Sequence, residues 1–556
     1  MLVAASLRLR QAAKSKAFVR CFSGESFSKY QYPTRKEAPE ISATTAEKAL
    51  DSLPPRSPSP KLYQQDDPFD DSCSLSDDEI KKMKEKQQRE LSSITLSSFP
   101  ITPNVPDFIP PNVPSQELEI PQTHITQLPN GIRVVSQEVY GQMCTVGVLT
   151  NVGSRHETQE GLMHLMETLA FSSTREYPDG LVINELLQDW GATRFVSHSR
   201  EQTLHCIDVL RPNVEKAMHL LSQVVLEPLF TEYEIESCKA VLDFQAEEQI
   251  PELVLGEALQ VAAYGKDQQN GRLHFATSEA VPQLSQSALQ NFFQSNIRHN
   301  PEGMVIAGAG IGHDELVGMA THHFGHMDQK SSPATIPSLY RGGQHTIGPN
   351  PEAGMEDEYC RVALAFPVGG WHSDTMVTAC VLQTLLGGGS SFSAGGPGKG
   401  MYSRMYQNVL NRYDWMETAE AFTSFADEGG LFGVSASTPK PTKVNELVMI
   451  LADQMAGLAI HPVNEVELNR ARNMLKCNVL TQLESRLILF EDMGRQVLTY
   501  GKREDSATTC RKIEAVTAED IQQLARQMLQ QPPTLAATGN HLDQVPSQQT
   551  VAQWFQ

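Results

Sequence analysis

Among the residues able to do chemistry, His164, Glu167 and Thr168 come nearest to a recognisable arrangement. They lie in Gly161-Leu162-Met163-His164-Leu165-Met166-Glu167-Thr168-Leu169-Ala170-Phe171, whose apolar spacing predicts a helix. In an H-x-x-E-H helix the two histidines share one face and bind zinc, while the glutamate acts as general base toward the bound water. Here Thr168 stands where the second histidine would be. A neutral hydroxyl is a poor zinc ligand, and one histidine cannot hold a catalytic ion alone. The outline of a metal site is present without its ligands.

A second feature is the run Gly387-Gly388-Gly389-Ser390-Ser391-Phe392-Ser393-Ala394-Gly395-Gly396-Pro397-Gly398-Lys399-Gly400. Glycine at this density gives up backbone order, so a folded chain that keeps it needs mobility or close backbone approach. It is not a phosphate-binding loop: Ser393 replaces the first glycine of that pattern, and Gly400 replaces the hydroxyl residue after Lys399. Thr321-His322-His323-Phe324-Gly325-His326 invites a second metal reading, but adjacent histidines on a helix point apart. The segment reads as a surface helix end.

Around these residues the sequence reads as two related halves. Thr126 to Val135 is strand, Asn-Gly turn, strand; Thr145 to Val152 is a further strand, and Met304 to Gly310 is a buried one. Laying Val146 on Val362 also puts Val148 on Leu364, Val152 on Val368, Gly153 on Gly369 and His156 on His372. A strand, a Val-Gly pair, a histidine and a helix therefore occur twice, which predicts a duplicated α/β domain. The expected limits are 119–329 for the first domain, 330–343 for a Pro/Ser/Gly-rich linker, and 344–556 for the second, in which the glycine run follows the helix Asp374 to Leu386.

The region before these domains has a different composition. Residues 1–22 hold Arg8, Arg10, Lys14, Lys16 and Arg20, and no acid appears before Glu25, which is the composition of a mitochondrial transit peptide. Arg20-Cys21-Phe22-Ser23 places the mature start near Ser23. Residues 23–118 combine proline clusters with acidic runs such as Asp77-Asp78-Glu79, and are expected to be disordered. The net charge of −21 excludes nucleic acid as a general partner and suits cationic ones. No apolar run approaches the ~18 residues of a membrane span. Nine scattered cysteines without a C-x-x-C pair read as free thiols of a reducing compartment.

The string Gly161 to Thr174 and the glycine run leading into Met401-Tyr402-Ser403-Arg404, with Asp427 to Gly433, Glu467-Leu468-Asn469-Arg470-Ala471, Leu483-Glu484-Ser485-Arg486 and Glu491 to Gln496, resemble the pitrilysin/insulinase-type metallopeptidases. Within that family they are similar to the non-catalytic alpha subunits of mitochondrial processing peptidases. The resemblance covers roughly Gln122 to Phe555 and implies an α+β fold of two duplicated α/β domains. It also implies that the third zinc ligand of active members, a glutamate, falls on Phe244, whose ring would fill the coordination space. Glu247 and Glu248 lie about a helical turn away and read as solvated. The resemblance thus implies no zinc in this chain, zinc in a beta-subunit partner of a heterodimer, and His164, Glu167, Thr168 and Phe244 as remnants. It implies binding of basic presequences through Gly387, Gly388, Gly389, Ser390, Ser391, Phe392, Ser393, Gly395, Gly396, Gly398, Lys399 and Gly400. Alpha subunits commonly have a fourth consecutive glycine where Ser390 stands. Core scaffold proteins of ubiquinol–cytochrome c reductase share the fold and give the alternative reading.

Overall fold

The computed structural model describes residues 121–328, 336–349, 358–391 and 401–555. The expected transit peptide, the acidic segment and residues 330–335 of the linker lie outside them, as do Phe392, Ser393, Gly395, Gly396, Gly398, Lys399 and Gly400.

The first half builds a six-stranded sheet from β1 (Thr123–Gln127), β2 (Arg133–Gln137), β3 (Met143–Thr150), β4 (Thr193–His198), β5 (Thr203–Leu210) and β6 (Met304–Ala309). Its spatial order is β1-β2-β6-β3-β5-β4. The second half builds another from β7 (Gly343–Ile347), β8 (Cys360–Val368), β9 (Gly388–Ser390), β10 (Thr418–Phe425), β11 (Gly430–Thr438) and β12 (Thr534–Gly539), ordered β7-β12-β8-β11-β10-β9. Without β1 and β9 the two orders are the same. In each, the first remaining strand is parallel to the last (β2 with β6, β7 with β12) and every other pairing is antiparallel. The duplication expected from Val146 and Val362 is therefore topological. β7 opens at Gly343, the residue expected to close the linker.

The helices of the first half are α1 (Leu162–Thr168), α2 (Gly180–Asp189), α3 (Val214–Leu226), α4 (Glu232–Glu247), α5 (Pro251–Tyr264), α6 (Gln286–Phe293) and α7 (His313–Phe324). Those of the second are α8 (Met376–Leu386), α9 (Val444–Ile460), α10 (Glu465–Leu483), α11 (Arg486–Tyr500), α12 (Ser506–Ala515), α13 (Ala518–Leu529) and α14 (Gln548–Gln553). Most pack on one face of their own sheet: Val146 and Val148 meet α1, α3 and α7 there, as Val362 and Leu364 meet α8, α9 and α13. Among the described residues no single helix is long and apolar enough to cross a membrane.

The other face of each sheet is covered by a helix from the opposite half. Leu489, Phe490, Met493 and Val497 of α11 pack on Val135, Leu149, Leu204 and Ala307 of the first sheet. Leu255, Ala258, Leu259 and Ala263 of α5 pack on Ala363, Ala365, Leu431 and Ala536 of the second. Both sheets are thus buried on both faces, which explains strands as uniformly apolar or small as β6 and β12. The receiving faces carry small residues so that a helix can come close. A Cβ on Gly147 would stand 2.7 Å from the Phe490 ring, while Ala363 holds the corresponding place in β8.

A buried ion cluster closes the seam between the halves. Arg155, 1% exposed, donates to Glu201 at 2.5 Å and to Glu428. These carboxylates lie in the β4–β5 and β10–β11 turns, and Trp371 adds an indole N–H to Glu201 at 3.2 Å. The backbone N–H of Arg155 bonds Arg200 O and that of Trp371 bonds Ala426 O, so the two halves make the same turn contact. Both halves belong to one compact unit.

Candidate remnant metal site and glycine-rich edge

Helix α1 is only seven residues long and is started by a buried acid. The Glu157 carboxylate accepts the N–H groups of Gly161 at 3.1 Å and Met163 at 2.6 Å, satisfying donors that open every helix. Burial pushes this carboxyl up to about 8, against the pull of those two bonds. His164, Glu167 and Thr168 then sit on a fixed helix, and each is engaged in protein contacts. His164 Nδ1 accepts the Ala276 N–H at 3.2 Å, and its ring meets Phe275 edge-on at 5.2 Å. In the neutral imidazole this bond puts the proton on Nε2, the reverse of what a ligand through Nε2 needs. Thr168 Oγ1 donates to the His164 carbonyl of its own helix at 2.9 Å. Glu167 accepts the His198 N–H at 3.2 Å and pairs with His198 Nδ1.

The residues do not fit a zinc ion. One candidate ligand is a hydroxyl turned to its own backbone, another is hydrocarbon, and the glutamate is held by an imidazole. Among the described residues no group of three His, Cys, Asp or Glu side chains is arranged to hold a metal.

Phe244 differs from expectation. It lies on α4, which packs against α1, but is 46% exposed and does not fill a closed coordination space. Helix α4 buries Ile235 and Leu242 instead, which turns Phe244 to the outside. Glu247 and Glu248 are exposed as expected. The histidine run ends α7 at the surface, where His323 lies 5.3 Å from His219.

Sequence reasoning missed His198 and His274. His198 Nε2 donates to the His274 carbonyl at 3.0 Å, and the two rings stack at 4.1 Å. His198 is the last residue of β4, and no spacing rule links it to a glutamate on another element. Nearby, burial pushes His205 down to about 4.

The glycine-rich run begins differently from a mobile loop. Gly387 ends α8 with an N–H to Gln383 O at 2.7 Å. Gly388 to Ser390 form edge strand β9 against Glu420, Ala419 and Thr418 of β10, and the Ser391 N–H bonds Glu417 O at 2.7 Å. Gly388 has φ 109°, a conformation that disfavours side chains. A Cβ on Gly389 would stand 2.6 Å from the Tyr406 hydroxyl oxygen, and Ser403 Oγ accepts the Gly388 N–H at 3.2 Å. The opening glycines thus permit close packing, the second of the two uses that their density allowed. On the return side Arg404 pairs twice with Glu467, at 2.6 and 3.0 Å, and Arg470 stacks on Tyr402 at 5.3 Å.

Two family descriptions match the chain: Insulinase (Peptidase family M16) over residues 133–275, and Peptidase M16 inactive domain over 283–475. The chain belongs to peptidase family M16. Its M16 relatives include the mitochondrial-processing peptidase subunit alpha of Homo sapiens, 34% identical over 81% of this chain and 87% of that one. The subunit of the same description from Solanum tuberosum is 32% identical over 84% of this chain and 90% of that one. This M16 chain is thus similar to the alpha subunits over nearly their whole length. A chain of the solved structure "Complex III2 from Candida albicans, Inz-5 bound" superposes with a TM-score of 0.65 at 17% identity, covering 78% of this chain and 99% of that one. At that identity the likeness shows the fold alone.

Proposed function

We propose that this chain is the non-catalytic, substrate-binding alpha subunit of a mitochondrial processing peptidase, pairing with a zinc-bearing beta subunit that cleaves the presequences of imported precursors. The observation that carries this reading is its likeness to alpha subunits over nearly their full length, joined to a remnant site with Thr168 and Phe244 at ligand positions. A chain that cannot hold zinc contributes by binding. The glycine-rich segment, anchored by β9 on one side and by Arg404–Glu467 on the other, is the part that contacts the presequence. Backbone without side chains adapts to peptides of many sequences, and the net charge of −21 draws basic ones. The basic, acid-poor residues 1–22 serve as a transit peptide, and the place of action is the mitochondrial matrix.

The test is purification of the tagged protein from gently solubilised mitochondria, followed by cleavage of a presequence peptide. A soluble heterodimer with a zinc-containing paralogue that cleaves the peptide is expected, with the isolated chain inactive. Deleting residues 387–400 should abolish or strongly slow cleavage by the reconstituted pair; unchanged cleavage would sink the loop's role.

A second reading, a core scaffold subunit of ubiquinol–cytochrome c reductase, draws on the superposition with a chain of the Complex III2 structure. Recovery only within the membrane complex, without processing activity, would favour it.

A further inference from the structure

The surface beside the remnant site has a pattern that the glycine-rich segment does not account for. Helix α4 buries Ile235 and Leu242 and turns large apolar side chains outward: Tyr233 is 82% exposed, Val241 44% and Phe244 46%. Positions 233, 237, 240 and 244 follow helical spacing, so Tyr233, Ser237, Ala240 and Phe244 form one line with Val241 beside it. From Tyr233 to Phe244 this line is about 16 Å long, three turns of helix. Along one flank run Glu232, Glu236, Asp243 and Glu247, and Glu248 follows the helix end. Lys239 is the only base in the helix and is paired with Glu236 at 2.7 Å, so the flank keeps its negative charge.

We propose that this face of α4 is a docking surface for a basic amphipathic helix. An exposed apolar stripe of three turns fits anchors spaced i, i+3/i+4, i+7 on a partner helix, and the parallel acidic row fits lysines or arginines beside those anchors. An extended peptide is a poorer match, because a helix surface offers it neither unpaired backbone groups nor a cleft. Acid-poor, arginine-rich amphipathic segments are the composition of mitochondrial targeting peptides; naming them as the natural occupant rests on the proposed processing role, whereas the surface itself does not. Phe244 thereby serves as a contact at a position where active family members keep a zinc ligand.

The experiment measures binding of a fluorescent four-turn peptide, patterned with leucine on one face and arginine on the other, to the full chain by anisotropy. The control is a scrambled peptide of the same composition. The Val241→Ser/Phe244→Ser and Glu236→Lys/Glu247→Lys variants should each weaken the patterned peptide by about tenfold or more, and raised salt should weaken wild type. The changed side chains are exposed, so circular dichroism should stay unchanged; if the apolar variant unfolds, the charge-reversed one still decides. Unchanged affinity in the charge-reversed variant, or equal binding of the scrambled peptide, overturns the proposal. So does loss of the partner subunit from pull-downs with peptide affinity intact, which would make this face a subunit contact. The loop and this face fail separately. Cleavage that survives deletion of 387–400 while the α4 variants lose peptide sinks only the loop reading; the reverse pattern sinks only this one.

Discussion

The two halves share a five-strand core of the same order and directions, and they differ at opposite edges of it. The first half adds β1 beside β2, while the second adds the glycine strand β9 beside β10. The helix after the duplicated strand differs likewise: in the first half it is α1 with the remnant metal residues, in the second α8, which runs straight into β9. One scaffold thus carries a short helix with an incomplete H-x-x-E-H pattern in one copy and a glycine-built edge strand, proposed above to lead into the substrate-binding segment, in the other. What remains common is the exchange of α11 and α5, which makes each sheet depend on the other half for a covering helix. Specialisation took place at the edges, and mutual dependence stayed in the cores.

The strongest way to break this comparison is to attack the exchange. Phe490→Ala should cost about 3–5 kcal/mol, because the ring is fully buried against Gly147. Calorimetry should still show one transition; two separate transitions would mean that the halves are independent after all. Arg155→Ala should cost a similar ~3–5 kcal/mol by stranding Glu201 and Glu428 near the seam. Removing the carboxylates together with the arginine should recover part of that loss in chemical denaturation.

Two buried histidines of the first half make an acid-sensitive contribution, which the buried Glu157 carboxyl, pushed up to about 8, opposes as pH falls. Burial lowers His156 to about 4, helped by the nearby Arg155 charge, and burial lowers His205 to about 4. A histidine depressed in the fold binds more protons unfolded, so its stabilisation is present above the unfolded value of about 6.5 and is lost as pH falls toward 4. Each contributes up to about 3 kcal/mol. Urea melts of His205→Phe should therefore lose less stability than wild type between those pH values; an equal loss would remove His205 from the account.

Smaller effects test the glycine edge against the remnant helix. Gly388→Ala, at φ 109° and against the backbone of Ala419, should cost about 1–3 kcal/mol and slow presequence cleavage by the reconstituted pair. Thr168→Ala should cost about 0.5 kcal/mol or less, since its hydroxyl serves only its own helix carbonyl, and should leave cleavage unchanged. A larger effect at Thr168 than at Gly388 would invert the roles assigned to the halves.

Several features could be read locally. The Asn130-Gly131 turn, the all-apolar β6 and the surface end of α7 each follow from a few neighbouring residues, and the repeat showed through because Val146/Val362 and Gly153/Gly369 kept their spacing. Phe244 was misjudged because spacing along a helix fixes its phase only once the buried side is known; Ile235 and Leu242 decide that side through packing. The order of β9 was missed because glycine composition speaks for freedom, whereas Tyr406 and Ser403, far along the chain, impose close contact.

The sequence by itself determined the duplicated domain, the threonine in place of a second histidine four residues after His164 and the family resemblance, because those are matters of residue type and local spacing. Only the tertiary structure decided that α5 and α11 are exchanged, that His198 holds Glu167, that Arg155 joins two distant turns, and that the outer face of α4 is left apolar beside acids. Each joins elements remote in sequence, and their geometry is set by packing between sheets and helices, which no local pattern encodes.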